Sequence, residues 1–251
     1  MSRSRLCALL AAAGPALGWV RGGGLAAQAA PPEFHARALS AFAAAKARTL
    51  IRERLPCLGC HRLDAEGGRI GPDLSAPAPG TTAAFIYAMV RDPQRSVPGG
   101  RMPRTPLAPE TLELVASYLA QRVPAGKPAG ARAPGAATRA PAAPSRRSAK
   151  ELYGSYCAAC HGAAGNGDGY NAAFLPVRPA VHADPRAMSE RSDDQLFDAI
   201  AAGGYVLSRS NRMPGFGQTL TVHEIRALVG YIRELCRCQG PAWSRDDATA
   251  R

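Results

Sequence analysis

The sequence predicts an all-α fold, laid out twice along one chain. Three observations predict it. Apolar residues recur at helical spacing in two blocks, the same order of features appears in each block, and neither contains a convincing alternating strand. Between the blocks, residues 124–147 are dominated by Pro, Ala, Gly and Arg and lose all apolar periodicity. Such a composition predicts a mobile, semi-extended linker. The expected organisation is an export signal at 1–29, a first module at 30–123, the linker at 124–147, a second module at 148–243 and a tail at 244–251.

The opening residues carry the signal reading. Arg3 and Arg5 precede an apolar run from Leu6 to Val20, and Ala27-Gln28-Ala29 fits a cleavage site. The run contains Gly14, Pro15 and Gly18 and falls short of the roughly 20 residues of a bilayer span. Export outside the cytoplasmic membrane, to the periplasm, is therefore expected. Attachment to the membrane through an uncleaved signal or through a partner stays open. Cys7 lies inside the apolar run, where a lipid-bearing cysteine is not expected.

In the first module, Glu33 to Leu55 reads as helical, with Leu39, Phe42, Leu50 and Ile51 among Ala, Lys and Arg. A Gly- and Pro-rich loop follows, then a helix from Thr82 to Arg91. A closing amphipathic helix carries Leu112, Val115, Tyr118 and Leu119. The second module repeats the plan. Ala149 to Tyr156 is its short first helix. Ser192 to Ala202 is its middle helix, with a capping box at Ser192 and Gln195 and a stop at Gly203-Gly204. Ile225, Leu228, Tyr231, Ile232 and Leu235 mark its closing helix.

Each first helix runs into the same five-residue pattern, Cys57-Leu58-Gly59-Cys60-His61 and Cys157-Ala158-Ala159-Cys160-His161. Cys-x-x-Cys-His is the attachment signature of covalent haem c. In a helical turn the first, fourth and fifth positions lie on neighbouring parts of one face. Two thiols then bond the two vinyl edges of a porphyrin while the imidazole reaches the iron. Two covalently bound haem c groups are expected, one per module. A redox-active dithiol, half of a zinc site or a local disulfide are the rival readings of a Cys pair; neither the dithiol nor the disulfide asks for the adjoining His, and a zinc site would use the two pairs together, against the completeness of each repeat.

A sixth iron ligand is expected from Met102 and Met213. Each precedes a proline in irregular sequence just ahead of the closing helix, 41 positions after His61 and 52 after His161. Met/His ligation suits electron-carrying haems. His35 and His182 are the competing ligands, and Met89 and Met188 read as core residues.

On these motifs both modules resemble class I cytochromes c. In that family a proline after the attachment motif offers its carbonyl to the haem-binding His. The resemblance assigns this role to Pro72 in Gly71-Pro72-Asp73-Leu74 and to Pro179 in Arg178-Pro179-Ala180-Val181, with Pro176 as a rival. It implies that each closing helix crosses the first helix, with Tyr118 and Tyr231 near the contact. The layout resembles dihaem cytochromes c built from two fused domains, although so long a linker argues against close docking of the haems. A haem held by His and Met has no open position for substrate. The function implied is electron carriage, as a shuttle or an electron-wiring subunit, between redox proteins or within a respiratory complex. The alternative is a dihaem peroxidase or a sulfur-compound dehydrogenase with one open haem. No catalytic residue stands out, and Asp168 in Gly165-Asn166-Gly167-Asp168-Gly169 reads as part of a tight turn.

The formal net charge is +12, and residues 1–29 hold three Arg and no acid, which leaves +9 beyond them. These cations are scattered or sit in the linker, so nucleic acid is not an expected partner. Cys236-Arg237-Cys238 departs from the family plan. Its spacing disfavours an easy disulfide. Two free thiols, a strained local disulfide, a soft-metal site and a link to a partner are the open readings.

Overall fold

The computed structural model describes residues 33–125, 147–206 and 208–244. The expected signal, all of the linker but its end residues, and nearly the whole tail lie outside them. Beyond residue 30 the described residues form one compact unit. Within it the described residues are mostly helical and gather around two hydrophobic clusters.

In the first module α1 spans Ala41–Thr49, begun by Ser40, whose hydroxyl accepts from the Ala43 amide at 3.2 Å. The helix starts later than its composition suggests. Ahead of it, the Arg37 amide donates to Ser117 Oγ and the Arg37 carbonyl accepts from Gln121 Nε2. Tertiary hydrogen bonds thus replace helical ones. A wider π-helical turn, Leu50–Arg54, continues α1, and Pro56 then opens the tight turn Pro56–Gly59 that carries Cys57. The chain after His61 makes a two-residue antiparallel ladder, β1 (Arg62–Leu63) with β2 (Glu66–Gly67), which the apolar pattern did not signal. There follow α2 (Ala83–Arg91), α3 (Pro93–Ser96) and α4 (Pro109–Ala120). α4 packs on α1 and α2, burying Ala47, Ile51, Leu58, Val115, Tyr118 and Leu119. Each large aliphatic side chain buried here contributes about 1.5–3 kcal/mol.

The second module begins at α5 (Ala149–Tyr156), with a reciprocal capping box between Ser148 and Glu151. α6 (Ala158–His161) follows after Cys157. Then come α7 (Pro185–Ser189), α8 (Asp193–Ala202) with the Ser192–Gln195 box, and α9 (Val222–Cys236) with a third box at Thr221 and Glu224. α9 packs on α5 and α8, closing a core that includes Leu152, Tyr153, Met188, Ile225, Leu228 and Ile232. Tyr231 meets Tyr153 with ring centroids 5.2 Å apart, and Tyr118 on α4 receives Arg48 of α1. Among the described residues no helix is long and apolar enough to cross a membrane.

The two modules touch, contrary to the separation that the linker suggested. Asn211 Nδ2 donates to the carbonyls of Arg52 and Leu55, Arg54 reaches Tyr205 Oη at 2.6 Å, and the Arg104 amide donates to Thr219 Oγ1 at 2.9 Å. The segment around each Met-Pro therefore leans on the other module. The physical reason is complementary chemistry: loop carbonyls left by the turns around Cys57 find side-chain donors from the opposite half.

Candidate haem sites

Each attachment motif is a tight turn hung from a first helix. The His161 and Cys160 amides both donate to the Cys157 carbonyl, and the His61 and Cys60 amides both donate to the Cys57 carbonyl. Both cysteines and the imidazole of each motif are thereby carried on one short turn. Gly162 ends the second turn with φ +78°, where a Cβ would be strained and would also run into Asp168. Asp168 thus packs inside the loop that follows the motif.

The imidazoles are held by backbone. His61 Nδ1 donates to the Pro72 carbonyl at 2.8 Å, and His161 Nδ1 donates to the Ala180 carbonyl at 2.9 Å. Because a carbonyl only accepts, the proton sits on Nδ1 and each Nε2 lone pair is free for a metal. The acceptor in the second module is Ala180, not Pro179. The Pro179 carbonyl oxygen lies instead against Gly167, 3.1 Å from where a Cβ would stand, so the next carbonyl along faces the imidazole. Burial pushes both imidazole pKa values down, against a smaller upward effect of those carbonyls. Burial thus favours the neutral ring, the form that ligates iron.

Burial also pushes the thiols up: Cys57 to about 11, Cys60 and Cys157 to about 12, and Cys160 in the same direction. A redox-active dithiol needs the opposite, a thiol whose pKa is drawn down toward neutrality. All four are unpaired. Among the described residues no group of three or more His, Cys, Asp and Glu side chains is arranged for a metal ion.

A cavity of about 890 Å³ opens over the second motif, lined by Cys157, Cys160, His161 and Met213. Its size falls in the range of about 300–1,000 Å³ usual for small-molecule and cofactor sites. Gly59, Cys60, Arg101 and Pro103 of the first module also reach its wall. Met102 itself is half-buried, with its carbonyl taking a hydrogen bond from Gln94 Nε2 at 2.8 Å. The structure brings Met213 and His161 to one cavity; the link of Met102 to His61 rests on the sequence pattern. His182 does not oppose His161. The two rings are stacked face to face, 4.1 Å between centroids and 11° from parallel, with His182 Nδ1 3.0 Å from Tyr153 Oη. Two rings so stacked cannot ligate opposite faces of one metal. His35 is exposed.

Arg212 tests the fit of a haem. Its Nε and Nη1 are buried without a hydrogen-bond partner, an expensive state for a guanidinium. It lines the same cavity, as do Arg191 and Arg209. Porphyrin propionates are carboxylates, which a guanidinium binds well. Thiol pair, neutral imidazole, thioether and orphaned cation together suit an iron porphyrin.

Comparison with known proteins agrees. A family model described as Cytochrome C oxidase, cbb3-type, subunit III matches residues 144–232. The match supports a c-type cytochrome domain over these residues, a class of domain that carries electrons on a covalently bound haem c. No curated protein matches the chain. One solved structure, described as Kuenenia stuttgartiensis reducing HAO-like protein complex Kustc0457/Kustc0458, is 20% identical. The alignment covers 71% of this chain and 79% of that one, with a TM-score of 0.30.

Sequence reasoning missed three residues of the site. Arg212 was passed over because its role depends on a cavity that no local pattern reveals. Asn171, described below, has partners in the other module. Ala180 was masked by the neighbouring proline. Cys236 and Cys238 are joined to each other by a local disulfide, one of the readings left open, although their spacing disfavours an easy bond. Arg237 between them adopts the left-handed conformation, φ +50°, which turns the second sulfur back onto the first.

Proposed function

We propose that this chain is a dihaem c-type cytochrome that carries electrons between redox proteins outside the cytoplasmic membrane, as a shuttle or as the wiring subunit of a larger complex. One observation carries the reading. The same arrangement is made twice: a Cys-x-x-Cys-His turn with its imidazole Nδ1 bound to a loop carbonyl, at His61 and at His161. Haem c supplies a one-electron couple to each site. The residues of the chain attach it, orient the imidazole and exclude water. Met213 would complete ligation in the second module and Met102 in the first, and Pro72 would orient His61. Arg212 would neutralise a propionate. The start of the chain, with Arg3, Arg5 and Ala27-Gln28-Ala29, supports export to the compartment where c-type cytochromes mature.

The test is maturation in a host able to attach haem c. The expected product gains the mass of two haems and shows the weak long-wavelength absorption of Met–iron coordination. Met213→Leu reduces that band, and Cys157→Ala with Cys160→Ala halves the haem content. A protein with one haem removes the dihaem assignment. Tight cyanide binding to the untreated protein favours a haem enzyme over a carrier.

A further inference from the structure

Asn171 belongs to the loop after the second attachment motif, yet it faces the first. Its side chain is fully buried. Its Nδ2 donates at 2.8 Å to the carbonyl of Gly59, between Cys57 and Cys60. The same nitrogen lies 3.2 Å from Cys160 Sγ, the atom that becomes the thioether sulfur of the second haem. Its Oδ1 accepts from the Arg69 amide at 2.7 Å. One amide group therefore spans the two attachment turns and uses both ends of its dipole.

The backbone is shaped to admit it. A Cβ on Gly68 would run into the Gly59 carbonyl and both polar atoms of Asn171. A Cβ on Gly59 would run into the carbonyl of Arg212, the residue before Met213. Arg69 lies over the Phe174 ring at 4.2 Å, beside the same seam.

Resting on the dihaem reading, we propose that Asn171 is a positioning residue that clamps the two attachment turns together, so that the haems are held at one fixed separation and exchange electrons within the molecule. An electron leaving one iron reduces the other, so the exchange needs no outside oxidant or reductant. A buried amide suits the task. A neutral side chain adds no charge that would favour one oxidation state, while its unmet hydrogen bonds would be costly if the turns parted.

The experiment uses the full-length, matured, fully ferric protein. Pulsed electron paramagnetic resonance reads the iron–iron distance distribution, and hydrogen exchange reads the Arg69 amide. The wild type is expected to give one narrow distance population. Asn171→Ala is expected to broaden or lengthen it and to speed exchange at Arg69 by about tenfold or more, with both haem spectra retained. Gly68→Ala attacks the seam from the other side and serves if the first variant does not mature. A broad wild-type distribution, or two variants indistinguishable from wild type, overturns the clamp. A wild type with a single haem is recognised beforehand by its mass and overturns the underlying reading instead.

Discussion

A methyl group at position 71 would collide with the His61 imidazole, because the Gly71 backbone lies directly against that ring. Gly71→Ala should push the ring off the Pro72 carbonyl and, on the dihaem reading proposed above, weaken its hold on iron. The expected outcome is a lower haem yield or a shifted midpoint potential confined to the first haem, read by potentiometric titration; an unchanged titration would refute the contact. At this scale the geometry of the attachment turns was largely legible in the sequence. Cys-x-x-Cys-His is local, and its neighbours in sequence are its neighbours in space. Carbonyl acceptors were less so, since which carbonyl turns inward depends on the loop: Pro72 lies 11 residues beyond His61, whereas Ala180 lies 19 beyond His161. Asn171 was not legible at all, because its meaning lies in Gly59, 112 residues away.

Helix boundaries follow their caps. Ser192, Thr221 and Ser148 each accept from the amide three residues on, and each receives a Glu or Gln in return. Only the Ser192 box was picked out from sequence. Composition also misplaced the start of α1, because Ala-rich sequence is helix-permissive whether or not a tertiary partner claims its backbone. Glu224 on α9 gives an acid-stability prediction. Its partial burial favours the neutral acid, but the Thr221 amide and the Arg147 guanidinium, 2.7 Å away, outweigh that and hold its pKa below the ordinary glutamate range. A lowered carboxylate pKa stabilises the fold above the unfolded value and loses that contribution as pH falls through the folded one. Glu224→Gln keeps the box and loses the charge. Its thermal midpoint should therefore fall less steeply than that of the wild type on acidification through the glutamate range, measured by circular dichroism. Parallel curves would show that the ion pair contributes nothing.

At the scale of the molecule, the two hydrophobic clusters are joined by hydrogen bonds through Asn171, Asn211, Arg54 and Arg104. Composition announced two modules but not their docking, since each contact pairs residues far apart in sequence. A protease site inserted between residues 126 and 146 should release fragments that still co-elute in size-exclusion chromatography at moderate salt. Their separation would show that the covalent connection alone keeps the halves together. The bond between Cys236 and Cys238 has a consequence for biogenesis. On the proposed export, the chain beyond residue 29 would bring six cysteines into an oxidising compartment, and six thiols admit 15 complete pairings. Once the neighbours at the end of α9 take each other, only three pairings remain for the four left over. On the dihaem reading, a nascent chain so simplified would offer the machinery that attaches haem fewer wrong partners to undo.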